Sequence, residues 1–240
     1  MNINPARKLK TPTLLAPRLW AHWPALLSLL LGLTGWQLAA RFTDLPAFIL
    51  PSPADVGMRF SRALLDGSLL RHTGVTLSEV LLGLLMGTAT ATVLGYLLAK
   101  SRLFERIMAP YLVASQAVPV VAIAPLLVIW FGPGIFSKIL ICALIVFFPV
   151  LVNTVVGVRA VPSVLHDLMR SLRASRWQVL RHLEIPAALP VFLGGLRIGA
   201  ALSVIGAVVG EFVGADRGLG FLINVGRGQY DTALVFVAIF

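Results

Sequence analysis

Charge is what this sequence has least of. Charged side chains are 12% of the 240 residues, and acids are the scarcer kind, ten Asp and Glu against twenty Lys and Arg. Soluble domains carry about 25% charged residues. With 58% hydrophobic residues and a mean hydropathy of +0.90, the scarcity excludes a soluble globular domain and makes the chain an integral membrane protein. Cysteine occurs once, as Cys142 in an apolar run, which excludes a disulfide framework. The four histidines, His22, His72, His166 and His182, have no ligand spacing, so no metal is expected. Paired Ser and His, paired midplane carboxylates and HExxH are all missing, which argues against an enzyme.

What is present is a series of long uncharged stretches. Residues 19–40, 80–99 and 139–158 are each long enough for a helix to cross about 30 Å of hydrocarbon. Residues 107–137 exceed one crossing, and the punctuation of Gly132, Pro133 and Gly134 predicts a span over 107–131. A fifth span is expected from Pro190 to Gly214, interrupted by Arg197. A sixth begins at Thr232 and would rise only about 14 Å by Phe240, so the natural chain is expected to continue. The fold class is therefore all-α, a polytopic membrane helix bundle of five to six transmembrane helices with its last one truncated, forming a single domain over 1–240.

Basic residues orient the bundle. With the N-terminus in the cytoplasm, twelve fall inside: Arg7, Lys8, Lys10, Arg18, Lys100, Arg102, Arg106, Arg159, Arg170, Arg173, Arg176 and Arg181. Seven fall outside: Arg41, Arg59, Arg62, Arg71, Lys138, Arg217 and Arg227. The excess matches the positive-inside rule, and it accounts for the net charge of +10 without nucleic acid. The apolar stretch after the basic start is longer than that of a secretory signal, so it is expected to be an uncleaved first span. Between it and the second span, prolines and an amphipathic pattern predict an extended stretch and then a short helix at the outer surface.

Small residues recur every fourth position, at Gly83, Gly87, Ala91, Gly95 and Ala99 and again at Gly195, Gly199, Ser203 and Ala207. Such spacing lets helices approach closely in lipid, either within the bundle or across a dimer face. Ionisable residues near the spans are limited to Glu79, Arg197 and Glu211, each close enough to a predicted end to snorkel. With Gln116, Trp130 and Asn153, which offer amides and an aromatic face among apolar neighbours, Arg197 and Glu211 are the candidate lining of a translocation path. A secondary carrier, the alternative class, should show midplane acids or an inverted repeat, and neither is found.

One long loop, residues 159–190, is predicted in the cytoplasm. Pro162 and Ser163 resemble a helix start, with Val164, Leu165, Leu168 and Leu172 on one face. A second short helix over 175–183 sets Trp177 and Leu180 on one side, and Pro186 and Pro190 are expected to end the pattern before the fifth span. Two amphipathic helices with a basic and aromatic surface suit a protein partner or anionic membrane lipid.

The stretch "SLRASRWQVLRHLEIPAALP" resembles the EAA loop of permease subunits of type I ABC importers, a pattern of EAA, three residues and GAS, then an apolar residue and proline about ten positions on. Asp167, Leu168 and Met169 fall on the EAA positions, Ala174 and Ser175 on the final AS, and Ile185 and Pro186 at the end. "PSPADV", "VPVVAIAPLLVIWFG", "FFPVLVNTVVGVRAV", "GGLRIGA" and "GEFVGADRGLGFLI" extend the resemblance over roughly residues 50–240, to the nitrate, sulfonate and taurine permease group. The resemblance implies the type I importer permease fold in the cell's inner membrane. It also implies that Asp167, Arg170, Arg173, Ala174, Ser175, Arg176, Trp177 and Leu180 couple to an ABC ATP-binding subunit. No GxxxxGK[ST] segment occurs, so hydrolysis belongs to that separate subunit. An extracytoplasmic solute-binding protein and a permease homodimer complete the expected assembly, with no cofactor of the chain's own.

Arg173 departs from the pattern by standing where the loop's usual glycine would be, so the turn either uses ordinary backbone angles or joins its helices differently. "DLMRSLRAS" is similar to the thiamine-precursor and riboflavin branch of the group. That likeness, with the amides and aromatic face above, implies a vitamin-like heterocycle as solute, the alternative being a sulfonate, taurine or nitrate.

Overall fold

The computed structural model describes residues 23–43, 46 and 48–240. His22 and the basic residues before the first span lie outside them. Eleven helices, and no strand among the described residues, follow in order. They fall into two units, one ending at Asp55 and one running from Val56 to Phe240.

In the first unit, α1 (Trp23–Phe42) is an apolar helix long enough to cross a membrane. The Trp36 indole donates to the Pro51 carbonyl at 3.0 Å, tying the chain after α1 back to the helix.

In the second unit, α2 (Pro53–Leu65) is the short amphipathic helix expected before the second span. In the turn after it, the Ser68 hydroxyl and backbone N–H donate to Asp66, which holds that exposed carboxyl below the usual carboxylate range. Three long helices form the centre: α3 (Ser68–Lys100), α6 (Ile135–Arg159) and α9 (Ile185–Gly214). Their lipid-compatible packing rests on the small-residue stripes. A Cβ added at Gly87 would stand 2.6 Å from the Ala143 carbonyl oxygen, and one at Gly95 would stand 2.9 Å from Thr154 Cβ, so α3 and α6 lie side by side and parallel. On α9, a Cβ at Gly195 would stand 2.6 Å from Asn153 and one at Gly210 3.0 Å from Lys138, so α9 runs antiparallel against the same helix. Close backbone approach of this kind maximises dispersion where no hydrophobic effect acts between helices. Both stripes thus face α6 of their own chain.

The predicted span over 107–131 is broken. Helices α4 (Arg102–Gln116) and α5 (Val120–Phe131) meet at 92° across residues 117–119. Pro119 caps α5 in extended geometry, and a residue before proline is pushed out of the helical region. Among the described residues, four helices are long and apolar enough to span, or five with this bent pair.

The prolines at 186 and 190 do not end a helix. After α7 (Ser163–Ser171), a helix begins as α8 (Arg176–Val179), continues through a π-helical turn at Leu180–Glu184 and becomes α9, giving 39 unbroken residues from Arg176 to Gly214. Pro186 occupies the first turn of α9, where its missing N–H matters least. Beyond α9 come α10 (Leu219–Gly228) and α11 (Thr232–Ile239). Arg59 on α2 pairs with Asp231 at 2.8 Å, fastening the start of α11.

Candidate functional site

The antiparallel centre puts the ends of α3 and α6 and the start of α9 together at the end of the bundle that carries the 159–190 loop. There Glu184, only 2% exposed, accepts a hydrogen bond from the Tyr96 hydroxyl at 3.1 Å, is paired with Lys100, and lies 3.1 Å from His166 Nε2. One buried carboxylate therefore ties α7 and the π turn to the end of α3. Nearby, Arg159 makes a two-pronged pair with Glu105 at 2.8 and 2.6 Å and donates to the Leu98 carbonyl at 3.0 Å, joining α6 to the α3–α4 corner. Sequence reading missed Glu184, Tyr96, Lys100 and His166 as a group. Their signal is one of only two acids in a basic loop, and it becomes a cluster only when α3 and α9 are placed side by side.

Of the loop residues singled out, Asp167, Arg170, Arg173, Ser175, Arg176 and Trp177 are exposed and Ala174 and Leu180 half-buried. The Ser175 hydroxyl accepts from the Gln178 N–H at 3.3 Å while the Gln178 side chain accepts from the Ser175 N–H at 2.7 Å, a capping box that starts the second helix. Between the helices, the Arg173 N–H bonds the Arg170 carbonyl at 2.9 Å and the Ala174 N–H bonds the Met169 carbonyl at 3.0 Å. That pair of bonds is a Schellman ending, with Arg173 in its left-handed position at φ +50. Neither alternative expected for this departure holds: the turn keeps the left-handed geometry that glycine favours, at a cost of about 1 kcal/mol in an L-residue. The ending leaves Trp177 at 64%, Leu172 at 68% and Leu168 at 53% exposure, with Arg170, Arg173 and Arg176 exposed near them in the chain.

At the opposite end, Glu211 and Glu79 are 1% and 2% exposed, so they do not snorkel. Glu211 accepts from the Thr76 hydroxyl at 2.6 Å and from the Gly220 N–H, and the Thr76 oxygen in turn accepts from the Leu219 N–H at 2.8 Å. The Gly218 N–H donates to His72 Nδ1 at 2.9 Å, and the imidazole stacks on Phe221. Gly218 stands at φ +111 with its missing side chain directed at the Glu211 carboxyl, which explains the glycines of "DRGLG". Lys138, expected in an outer loop, is 2% exposed and donates to the Pro133 carbonyl.

The other candidate path residues are not gathered by the fold. Gln116 ends α4 beside a cavity of about 230 Å³ that none of the other four lines. Trp130 is 67% exposed, and Arg197 is exposed on α9. The Asn153 amide donates to the Pro149 carbonyl at 2.8 Å and abuts Gly195, which gives it a packing role between α6 and α9.

A multi-pass helix bundle that projects a structured two-helix loop from one end is the architecture of a membrane permease. The chain belongs to the binding-protein-dependent transport system inner membrane component family, whose profile matches residues 91–240. It is similar to the riboflavin transport system permease protein RibX of Chloroflexus aurantiacus, 50% identical over 221 residues covering 91% of this chain and 82% of that one. It is also similar to the formylaminopyrimidine transport permease protein ThiX of Halalkalibacterium halodurans, 38% identical over 205 residues, 85% of this chain and 81% of the relative. The taurine transport system permease protein TauC of Escherichia coli is 33% identical over 215 residues, 86% and 78% of the two chains. The protein is therefore an inner-membrane permease subunit of an ABC importer.

Proposed function

We propose that this permease imports a vitamin-like heterocycle, riboflavin or a thiamine pyrimidine precursor, and that its 159–190 loop docks on a separate ABC ATP-binding subunit. The observation that supports the solute is the graded similarity, 50% to a riboflavin permease and 38% to a formylaminopyrimidine permease against 33% to a taurine permease. The observation that supports docking is the exposure of Leu168, Leu172 and Trp177 together with Arg170, Arg173 and Arg176 on one loop. Aromatic residues and arginine are enriched in protein interfaces. Strapped by Glu184 to α3 and continuous with α9, the loop would carry movement of the ATP-binding subunit into the spans.

The assembly is a homodimer of this single-domain permease with two ATP-binding subunits and an extracytoplasmic solute-binding protein, the N-terminus and the loop being cytoplasmic. Impermeant thiol labelling tests the orientation. In a Cys142→Ala background, Ser175→Cys should react only once the cytoplasmic face is opened and Asp216→Cys from outside; labelling of Ser175→Cys in intact cells reverses the topology. Competition tests the solute. Uptake by the complete transporter should be blocked by riboflavin or hydroxymethylpyrimidine compounds, whereas a block by taurine or nitrate with indifference to both vitamins assigns the sulfonate and nitrate reading instead.

A further inference from the structure

Two cavities adjoin where the loop meets the spans, and they share Tyr96 and Glu184. One, of about 430 Å³, is a groove between α3 and α9 walled by Val93, Leu97, Ile185, Leu189 and Phe192. The other, of about 570 Å³, lies under the loop and is lined by Lys100, His166, Arg170 and Arg176 around Glu184. Glu184 engages Lys100 and His166, and Arg170 reaches Asp167 at 3.3 Å across an exposed surface, so the second cavity keeps an excess of positive charge. The first has no such charge, and Val93, Leu97, Ile185 and Leu189 leave it open to the bilayer at 64, 47, 50 and 44% exposure.

We propose that the paired cavities bind one anionic phospholipid, its phosphate on Arg170 and Arg176 and an acyl chain in the groove between α3 and α9. Charge complementarity selects the headgroup, since basic pockets at the ends of transmembrane helices attract anionic lipid at short range. The groove selects a lipid over a free anion. From Ile185 to Phe192 it extends about 10 Å along α9, enough for a stretch of alkyl chain but without purpose for a phosphate ion. The π turn that ends in Glu184 separates the two halves, and π turns widen a helix where a ligand is accommodated. The site lies where the loop meets the ends of α3 and α9, and although Arg170 and Arg176 also belong to the loop that would dock on an ATP-binding subunit, lipid binding needs no such docking.

The test reconstitutes the permease with its ATP-binding subunit into nanodiscs of equal phosphatidylglycerol and phosphatidylethanolamine, re-extracts it and counts retained lipid by native mass spectrometry. Phosphatidylglycerol should be retained selectively. Both Arg170→Gln with Arg176→Gln and the groove-filling Leu189→Trp should reduce its retention roughly tenfold. Arg102→Gln with Arg106→Gln removes equal charge from a separate basic cavity of about 540 Å³ and should leave retention unchanged. Thermal unfolding identifies any variant that fails to fold, for which Leu189→Phe and Arg176→Gln alone serve in its place. Retention that survives in either site variant, or that falls equally in the Arg102 and Arg106 control, overturns the proposal.

Discussion

Both ends of the bundle bury an acid, and they hold it in different ways. Glu211 is satisfied by the Thr76 hydroxyl one helix away and by the Gly220 N–H, with backbone donors at Gly218 and Leu219 fixed on the same α3 turn. Glu184 is satisfied by the tips of Tyr96, Lys100 and His166, side chains long enough to follow a moving partner. A carboxyl locked by backbone defines a rigid corner, because the donors cannot shift without unwinding the chain. A carboxylate held by long side chains can stay paired while the elements carrying them slide. On the proposed docking, the end that carries the loop would transmit displacement and the other end would resist it.

Stability measurements sharpen that contrast. Glu211→Ala should be the more damaging change, because it strands the buried Gly220 N–H and leaves the Thr76 hydroxyl only its longer bond to the His72 carbonyl at 3.2 Å. A loss of about 2–4 kcal/mol is expected, read as a large drop in thermal unfolding midpoint in detergent. Lys100→Met should cost about 1–2 kcal/mol, since the Lys100 side chain is 39% exposed and Tyr96 and His166 remain on Glu184. An equal or larger loss in Lys100→Met would erase the distinction between the two ends. Arg173→Gly should have the smallest effect and the opposite sign, a gain of about 0.5–1 kcal/mol from relief of the left-handed residue, with the loop's capping bonds intact. Destabilisation by that change would mean that the Arg173 side chain makes contacts worth more than the strain.

The contrast was only partly legible in the sequence. Uncharged stretches marked α3 and α6 because the bilayer imposes one simple rule on composition, and the four-residue stripes marked the faces that α3 and α9 turn to α6, though not whether the bundle or a second chain would fill them. The break at 117–119 was missed because only Gly132, Pro133 and Gly134 were read as punctuation of this stretch, and Pro119 was not. Pro186 and Pro190 misled in the other direction: Pro186 falls in the first turn of α9, just after the π turn, and Pro190 lies inside α9 without ending it. The acids at 79 and 211 were read as snorkelling to water because distance from a span's end was the only measure available. Glu211 is held by the Gly220 N–H brought across from α10 and by Thr76 of α3, a tertiary event with no local signature. The 159–190 loop was the more legible part, as its amphipathic faces are local, and even there the left-handed Arg173 could be stated only as a departure from pattern.

The central claim is that the exposed Trp177 face passes the work of an ATP-binding subunit through the Glu184 strap into the spans, and Trp177→Asp tests it most directly. Trp177 is 64% exposed, so the change should leave the permease folded. In the complete reconstituted transporter it should remove an aromatic anchor and place a charge in the docked interface, lowering solute uptake and solute-stimulated ATP hydrolysis together by tenfold or more. Uptake and stimulated hydrolysis at the unsubstituted level would contradict the account and make the loop a surface element that lies on lipid.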